Sequence, residues 1–230
     1  MFVLPLAAAT VALAFAAALA KRYVAGRRSS LAFWAVALLM YAAASGAVAF
    51  GAASGWTPAA FRVYWTLGAV LNVPFLAQGE LDLLFHRREV RWMLYVLLAF
   101  VTAYAIAVIR TAEIVDPTAL DGDLPSGKDV FGDGSAAHRL PQIVAIPAYL
   151  LLLGGALWSA WRMRGRPELR DRFWGTLLIA LGATVIAGFG SAFAALGHLA
   201  PFAISLLAGI SIMFWGFLRA SRRSREASRR

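Results

Sequence analysis

Apolar residues in this chain come in long unbroken runs, not in the short alternations of a surface strand or the one-sided stripe of a surface helix. The runs cover about 2–20, 31–55, 62–85, 91–112, 141–161, 173–196 and 200–218. A hydrocarbon core about 30 Å thick is crossed by roughly 20 apolar residues in a helix. The pattern therefore predicts an all-α polytopic membrane protein with seven transmembrane helices in one membrane domain, 1–218, followed by a basic tail, 219–230. The connections are short except for one of about 113–140, which holds Glu113, Asp116, Asp121, Asp123, Asp129 and Asp133 among Gly and Pro residues.

The cations set the direction. Lys21, Arg22, Arg27 and Arg28 follow the first run, Arg87, Arg88 and Arg91 surround the turn after the third, five Arg from Arg162 to Arg172 follow the fifth, and six more lie from Arg219 onward. Only Arg62, Arg110, Lys128 and Arg139 fall on the other side. Basic loops stay in the cytoplasm, so the N-terminus is expected outside and the C-terminus inside. No cation precedes the first run, the reverse of a signal peptide, so that run is expected to be a retained helix. Trp34, Trp92, Trp158, Trp161, Trp174 and Trp215 fall at predicted cytoplasmic ends and Trp56 and Trp65 at the outer edge, where indoles form interfacial belts.

Composition agrees. The chain is 61% hydrophobic and 15% charged, against about 45–50% and about 25% in soluble domains. A soluble enzyme and a disordered regulator are excluded on that ground. The net charge of +10 reads as an inside-minus-outside difference, with anionic lipids as the partner of the cytoplasmic face and no nucleic acid. Zero cysteines remove disulfides and thiolate metal sites. Twenty Arg against two Lys and abundant Ala suit a high-GC bacterium, and the expected location is a bacterial plasma (inner) membrane.

In the acidic connection, Asp121–Gly122–Asp123 and Asp129 with Asp133–Gly134 have calcium-like spacing, but the 12-residue loop with its closing Glu is missing. No metal is assigned. The connection is expected to be a turn-rich loop serving as a lid over the outer mouth or a docking surface.

A shift of 140 residues aligns Lys21–Trp34 with Trp161–Trp174, placing Phe33–Trp34 on Phe173–Trp174, Leu38 on Leu178, and Ala43 and Ala47 on Ala183 and Ala187. This predicts a 3+1+3 parallel repeat with the fourth helix as connector. The topology resembles the 3+1+3 plan of PQ-loop and SWEET sugar transporters, and Pro141–Gln142 stands where PQ-loop proteins carry one of two dipeptides. The first span has only Pro5 and lacks the partner dipeptide. That resemblance implies a solute site near the midplane between repeats. The helix count also resembles microbial rhodopsins, but Lys21 and Lys128 both lie in loops, so a covalent retinal is excluded. Over Phe61–Leu84 and Leu124–Arg164 the chain looks like seven-helix actinobacterial membrane proteins of unassigned function.

Polar residues within the spans narrow the search, since an ionisable group at the centre costs about 2.5–3.5 kcal/mol and marks function by default. The third span holds Asn72, Pro74, Gln78, Glu80 and Asp82. Gln78 and Asp82 share a face, whereas Glu80 and Asp82 point about 160° apart and make no acid–base dyad. Asp82 is expected to pair locally with His86, Arg87 or Arg88, and Glu80 to reach a cytoplasmic Arg. Pro74 frees backbone acceptors beside Asn72, and Asn72 and Glu80 could mark two steps of one path. In the sixth span, Gly182, Gly188 and Gly190 are expected to admit a close neighbour. Ser191 and His198 stand about 10 Å apart along the axis, too far for a catalytic pair. His86, His138 and His198 lie at helix ends, unsuited to haem. No cofactor and no enzymatic activity are expected. The leading reading is transport or sensing of a small solute or ion around these five residues. The alternative is a non-catalytic scaffold or assembly subunit that holds a membrane partner, or a second copy, through the outer loop or the basic tail.

Overall fold

A computed structural model describes residues 2–85 and 87–221, so His86 and the tail beyond Ser221 lie outside the described residues. The chain is an all-α multi-pass membrane protein. Seven helices among the described residues are long and apolar enough to span: α1 Val3–Gly26, α2 Ser29–Ser54, α3 Pro58–Leu84, α4 Arg88–Thr111, α5 Ala136–Met163, α6 Pro167–Ala195 and α7 Leu199–Ala220. Each overlaps its predicted run, and most continue past the apolar window. Twenty-four residues rise about 36 Å, more than the hydrocarbon core, so polar turns such as Lys21–Gly26 stay helical at headgroup depth. Local signals set the ends. Thr57 caps α3 by accepting from the Ala60 N–H, with Pro58 in the first turn. Arg27 stops α1 in a left-handed conformation (φ 52°), its N–H donating to the Tyr23 carbonyl. Gly55 (φ 85°) and Gly197 (φ 69°) turn the chain at the loop-bearing end.

Two prolines explain two departures from regular helix. Pro74 lacks an N–H and its ring crowds the Val70 carbonyl. The preceding stretch Tyr64–Leu71 relaxes into a π-helical turn, in which Asn72 donates five residues back to Leu67. In α5, Pro141–Ala145 does the same before Pro147, with Ile146 donating to Pro141. Such adjustments re-satisfy backbone groups freed by proline in a membrane helix. These two π turns pack against each other. A third, Val185–Gly190, lies in α6 against α7.

Six helices close a ring in the order α1, α2, α3, α5, α6, α7, with α7 returning to α1. The fourth helix stands outside, touching α3 and the start of α5. Only Leu98, Ala105 and Ile109 of α4 are buried. Under the 140-residue shift, the π turns of α3 and α6 fall on regular helix in α7 and α2. The two halves thus differ in local backbone geometry.

The α6–α7 contact is backbone against backbone. Gly175 and Gly182 face Gly216 and Gly209, so the antiparallel backbones touch at two levels seven residues apart. A Cβ on Gly182 would stand 2.5 Å from the Gly209 carbonyl oxygen, and one on Gly216 would stand 2.7 Å from that of Gly175. Gly188 meets nothing within 4 Å and Gly190 only ordinary contacts. Of the three α6 glycines expected to admit a neighbour, Gly182 takes a backbone at close approach, Gly190 is buried at ordinary distance from Phe202 and Ser205 of α7, and Gly188 faces open space.

The acidic connection folds into a cap. It contains a short 3₁₀ turn, Pro117–Asp121, and a one-turn helix, Gly127–Phe131, and buries Leu120, Leu124, Val130 and Phe131. Trp56 donates to the Asp123 carbonyl at 3.1 Å, Trp65 to that of Ala137 at 2.9 Å, and Arg62 to that of Ala112 at 2.8 Å. The Leu124 carbonyl also reaches the α6–α7 turn at Gly197. Trp56 and Trp65 therefore hold the cap down within a ring cluster that includes Phe61, Tyr64 and Phe131. The carboxylates stay on the surface. Asp116 accepts from the Thr118 hydroxyl and N–H, which holds its carboxyl below the usual carboxylate range.

Gly127 is what lets Trp65 lie flat there, since a Cβ would fall 2.1 Å from the indole. That half-buried indole is flanked by Phe61, Phe131 and His138. Gly127→Val is expected to expel Trp65, costing about 1–3 kcal/mol as overpacking does. Red-shifted tryptophan emission and faster proteolysis within 113–140 would report it; an unchanged cleavage pattern would count against the anchor.

Candidate functional site

Inside the ring lies a cavity of about 200 Å³. All six ring helices line it and α4 does not. Its wall runs from mid-bundle (Tyr149, Ala183) toward the arginine-rich end (Leu83, Ser159, Thr176), away from the Trp56–Phe61–Trp65 cluster, which fills the other half. Most lining side chains are aliphatic or aromatic, and among them Glu80 alone is an acid.

The position of Glu80 follows from two glycines. On α5, Gly155 leaves room for the glutamate stem, since a Cβ there would meet Glu80 Cγ at 2.7 Å. One turn later, the Ser159 hydroxyl donates to Glu80 Oε1 at 3.5 Å. On α3, Gly79 lets Trp34 lie across the helix, its indole N–H donating to the Leu76 carbonyl at 3.0 Å. Glu80 is 8% exposed. Among the described residues no ion pair reaches it, and Ser159 is its single side-chain donor. An ionised carboxylate has about four acceptor sites, so most of this one's capacity is unused.

Three other polar side chains inside the ring are committed. The Asn72 side-chain amide donates to the Ala37 carbonyl of α2 at 3.1 Å, fastening α3 to α2. The Tyr41 hydroxyl donates to the Leu206 carbonyl of α7 at 2.9 Å, and that of Tyr149 to Thr184 Oγ1 at 2.9 Å. Pro74 is buried in the α3 core, and neither Asn72, Pro74 nor Gln78 appears in the cavity wall. Gln78 instead donates to Asp82 Oδ1 at 3.1 Å, as their shared face predicts.

Among the described residues Asp82 pairs with Arg91 rather than with Arg87 or Arg88, and the expected contact with His86 falls outside them. Arg91 of α4 lies 3.7 Å from Asp82 Oδ2, and the Tyr95 hydroxyl donates to the same oxygen at 2.9 Å. Arg91 also donates to Ser29 Oγ and to the Tyr95 hydroxyl. The helix ends at Phe85 in an extended conformation, and Arg88 begins α4. The returning helix therefore supplies the cation. The structure thus separates the five residues into a cavity acid (Glu80), an α3–α4 lock (Gln78, Asp82) and packing elements (Asn72, Pro74).

Tyr149, Gly155 and Ser159 line or shape the site and carry no signal of their own in the sequence pattern. Trp34, expected in the headgroup belt, lies across Gly79, half-buried in the wall. The available signal was Gly154–Gly155 with Ser159 one turn on, a small-residue face opposite an intramembrane acid.

The described residues hold no group of three or more His, Cys, Asp or Glu placed to take a metal. Compared with known proteins, the chain matches no family model, no curated protein and no solved structure.

Proposed function

We propose that this protein binds a small, mainly apolar solute in the central cavity and moves or senses it, without catalysis. The observation that carries this reading is Glu80: a buried acid with most of its acceptor capacity open, in the wall of a cavity built by all six ring helices. Burying an under-satisfied carboxyl costs free energy, and ligand binding is the use that offsets the cost. The ring is built from α1–α3 and α5–α7 with α4 outside, an order compatible with a solute site between two halves.

Ala156 is buried in the cavity wall, so Ala156→Phe should fill the space without touching Glu80. A solute at 100 times its Kd adds about 2.7 kcal/mol to the wild type, about 5–10 °C in Tm for a chain of this size. A thermal-shift panel on the purified full chain should find at least one such solute, and Ala156→Phe should lose the shift. Flux of that solute in proteoliposomes then separates transport from sensing. A wild type that no solute shifts, or shifts that survive in Ala156→Phe, would end the reading.

A further inference from the structure

Resting on the reading of the cavity as a ligand site, we infer that its ligand is a monocationic amine with a ring-sized apolar body, its ammonium held at Glu80. The charge follows from what faces the acid. The wall contributes the carboxyl of Glu80, the hydroxyls of Tyr149, Ser159 and Thr176, and otherwise apolar or aromatic groups. No Lys, Arg or His lines the cavity among the described residues. An anion would face this acid with no cation to offset it, and a neutral guest brings the buried carboxyl no charged partner. An ammonium supplies both the charge and several N–H donors, filling acceptor sites that Ser159 leaves open.

The aromatic content points the same way. Phe15, Trp34, Tyr149 and Phe217 all line the space, and ring faces attract cations, more strongly when water is excluded. Size sets the body. A cavity of about 150 Å³ accepts one benzene, so about 200 Å³ holds one ring with a short chain. An arylalkylamine fits both measures. A sugar does not, because too few polar groups line the wall to replace its hydration.

The test is calorimetric titration of the full chain in detergent with three probes of matched shape: phenethylamine hydrochloride, 2-phenylethanol and 3-phenylpropionate. The amine should bind about tenfold or more tightly than the alcohol, the margin of one hydrogen-bonded charge, and the carboxylate should bind weakest. In Glu80→Gln, checked for wild-type elution and Tm, the amine should lose its advantage over the alcohol. The wild-type ratio decides even if that variant does not fold. Equal binding of amine and alcohol to the wild type, abolished together by Ala156→Phe, overturns the cationic ligand and leaves the cavity site standing. Tighter binding of the carboxylate also overturns the cationic ligand. Failure of all three probes overturns the arylalkylamine assignment, and a solute panel that is equally silent removes the cavity reading as well.

Discussion

Replacing Gly209 with leucine should cost this protein its folded bundle. At that position a Cβ alone would stand 2.8 Å from the Gly182 carbonyl oxygen and 2.4 Å from Ile186 Cγ1. Backbone cannot rotate away as a side chain can, so α6 and α7 must separate along the pair of levels where they touch. Overpacking a core with side-chain neighbours costs about 1–3 kcal/mol; a backbone neighbour puts the expected loss at about 3 kcal/mol or more. Against a total stability of about 5–15 kcal/mol, that is enough to disperse the protein on size exclusion or lower its Tm by about 6–12 °C. The matched control is Gly188→Leu on α6, where a Cβ meets nothing within 4 Å and the change should stay within about 0.5 kcal/mol. Equal behaviour of the two variants would mean that close approach at Gly209 does not hold the helices together.

The contrast between those two glycines shows where the sequence stops being informative. Spans are visible because membrane burial acts on every residue of a helix, and twenty consecutive apolar positions leave little ambiguity. Which face meets which neighbour depends on rotation about the axis. A π turn inserts an extra residue and shifts that rotation, as Val185–Gly190 does for Gly188. Pro74 marks disturbed helix in the sequence, and π turns precede both it and Pro147. The polar cluster of α3 was legible as a set but not as roles. Asn72 and Glu80 look alike as buried polar residues; only the facing helix reveals that Asn72 is bonded to Ala37 whereas Glu80 meets a glycine and a serine. Trp34 and Trp65 were likewise read from their depth alone, and depth cannot show the glycine that receives an indole. The acidic loop announced its charge, while its buried Leu124, Val130 and Phe131 gave no periodic signal in so short a stretch.

Removing the cation that faces Asp82 should detach α4. That helix shares little buried surface with the ring, and its Arg91 and Tyr95 supply the polar link to Asp82 of α3, with Arg91 reaching on to Ser29 of α2. The Asp82 side chain is 1% exposed. Arg91→Met keeps the aliphatic stem and leaves the carboxylate with Gln78 and Tyr95 alone. Breaking a buried pair from one side costs about 3–5 kcal/mol. The Arg91 side chain is 35% exposed, so screening brings the expected loss to about 2–3 kcal/mol. Asp82→Asn in the same chain removes the stranded charge while keeping a side chain that Gln78 and Tyr95 can still bond. The double variant should therefore recover to within about 1 kcal/mol of wild type, a coupling well above the scatter of independent sites. Tm of the four proteins in one detergent completes the cycle, and proteolysis at the α3–α4 turn reports the helix itself. Single and double variants melting together would assign the attachment of α4 to its apolar contacts at Leu98, Ala105 and Ile109 instead.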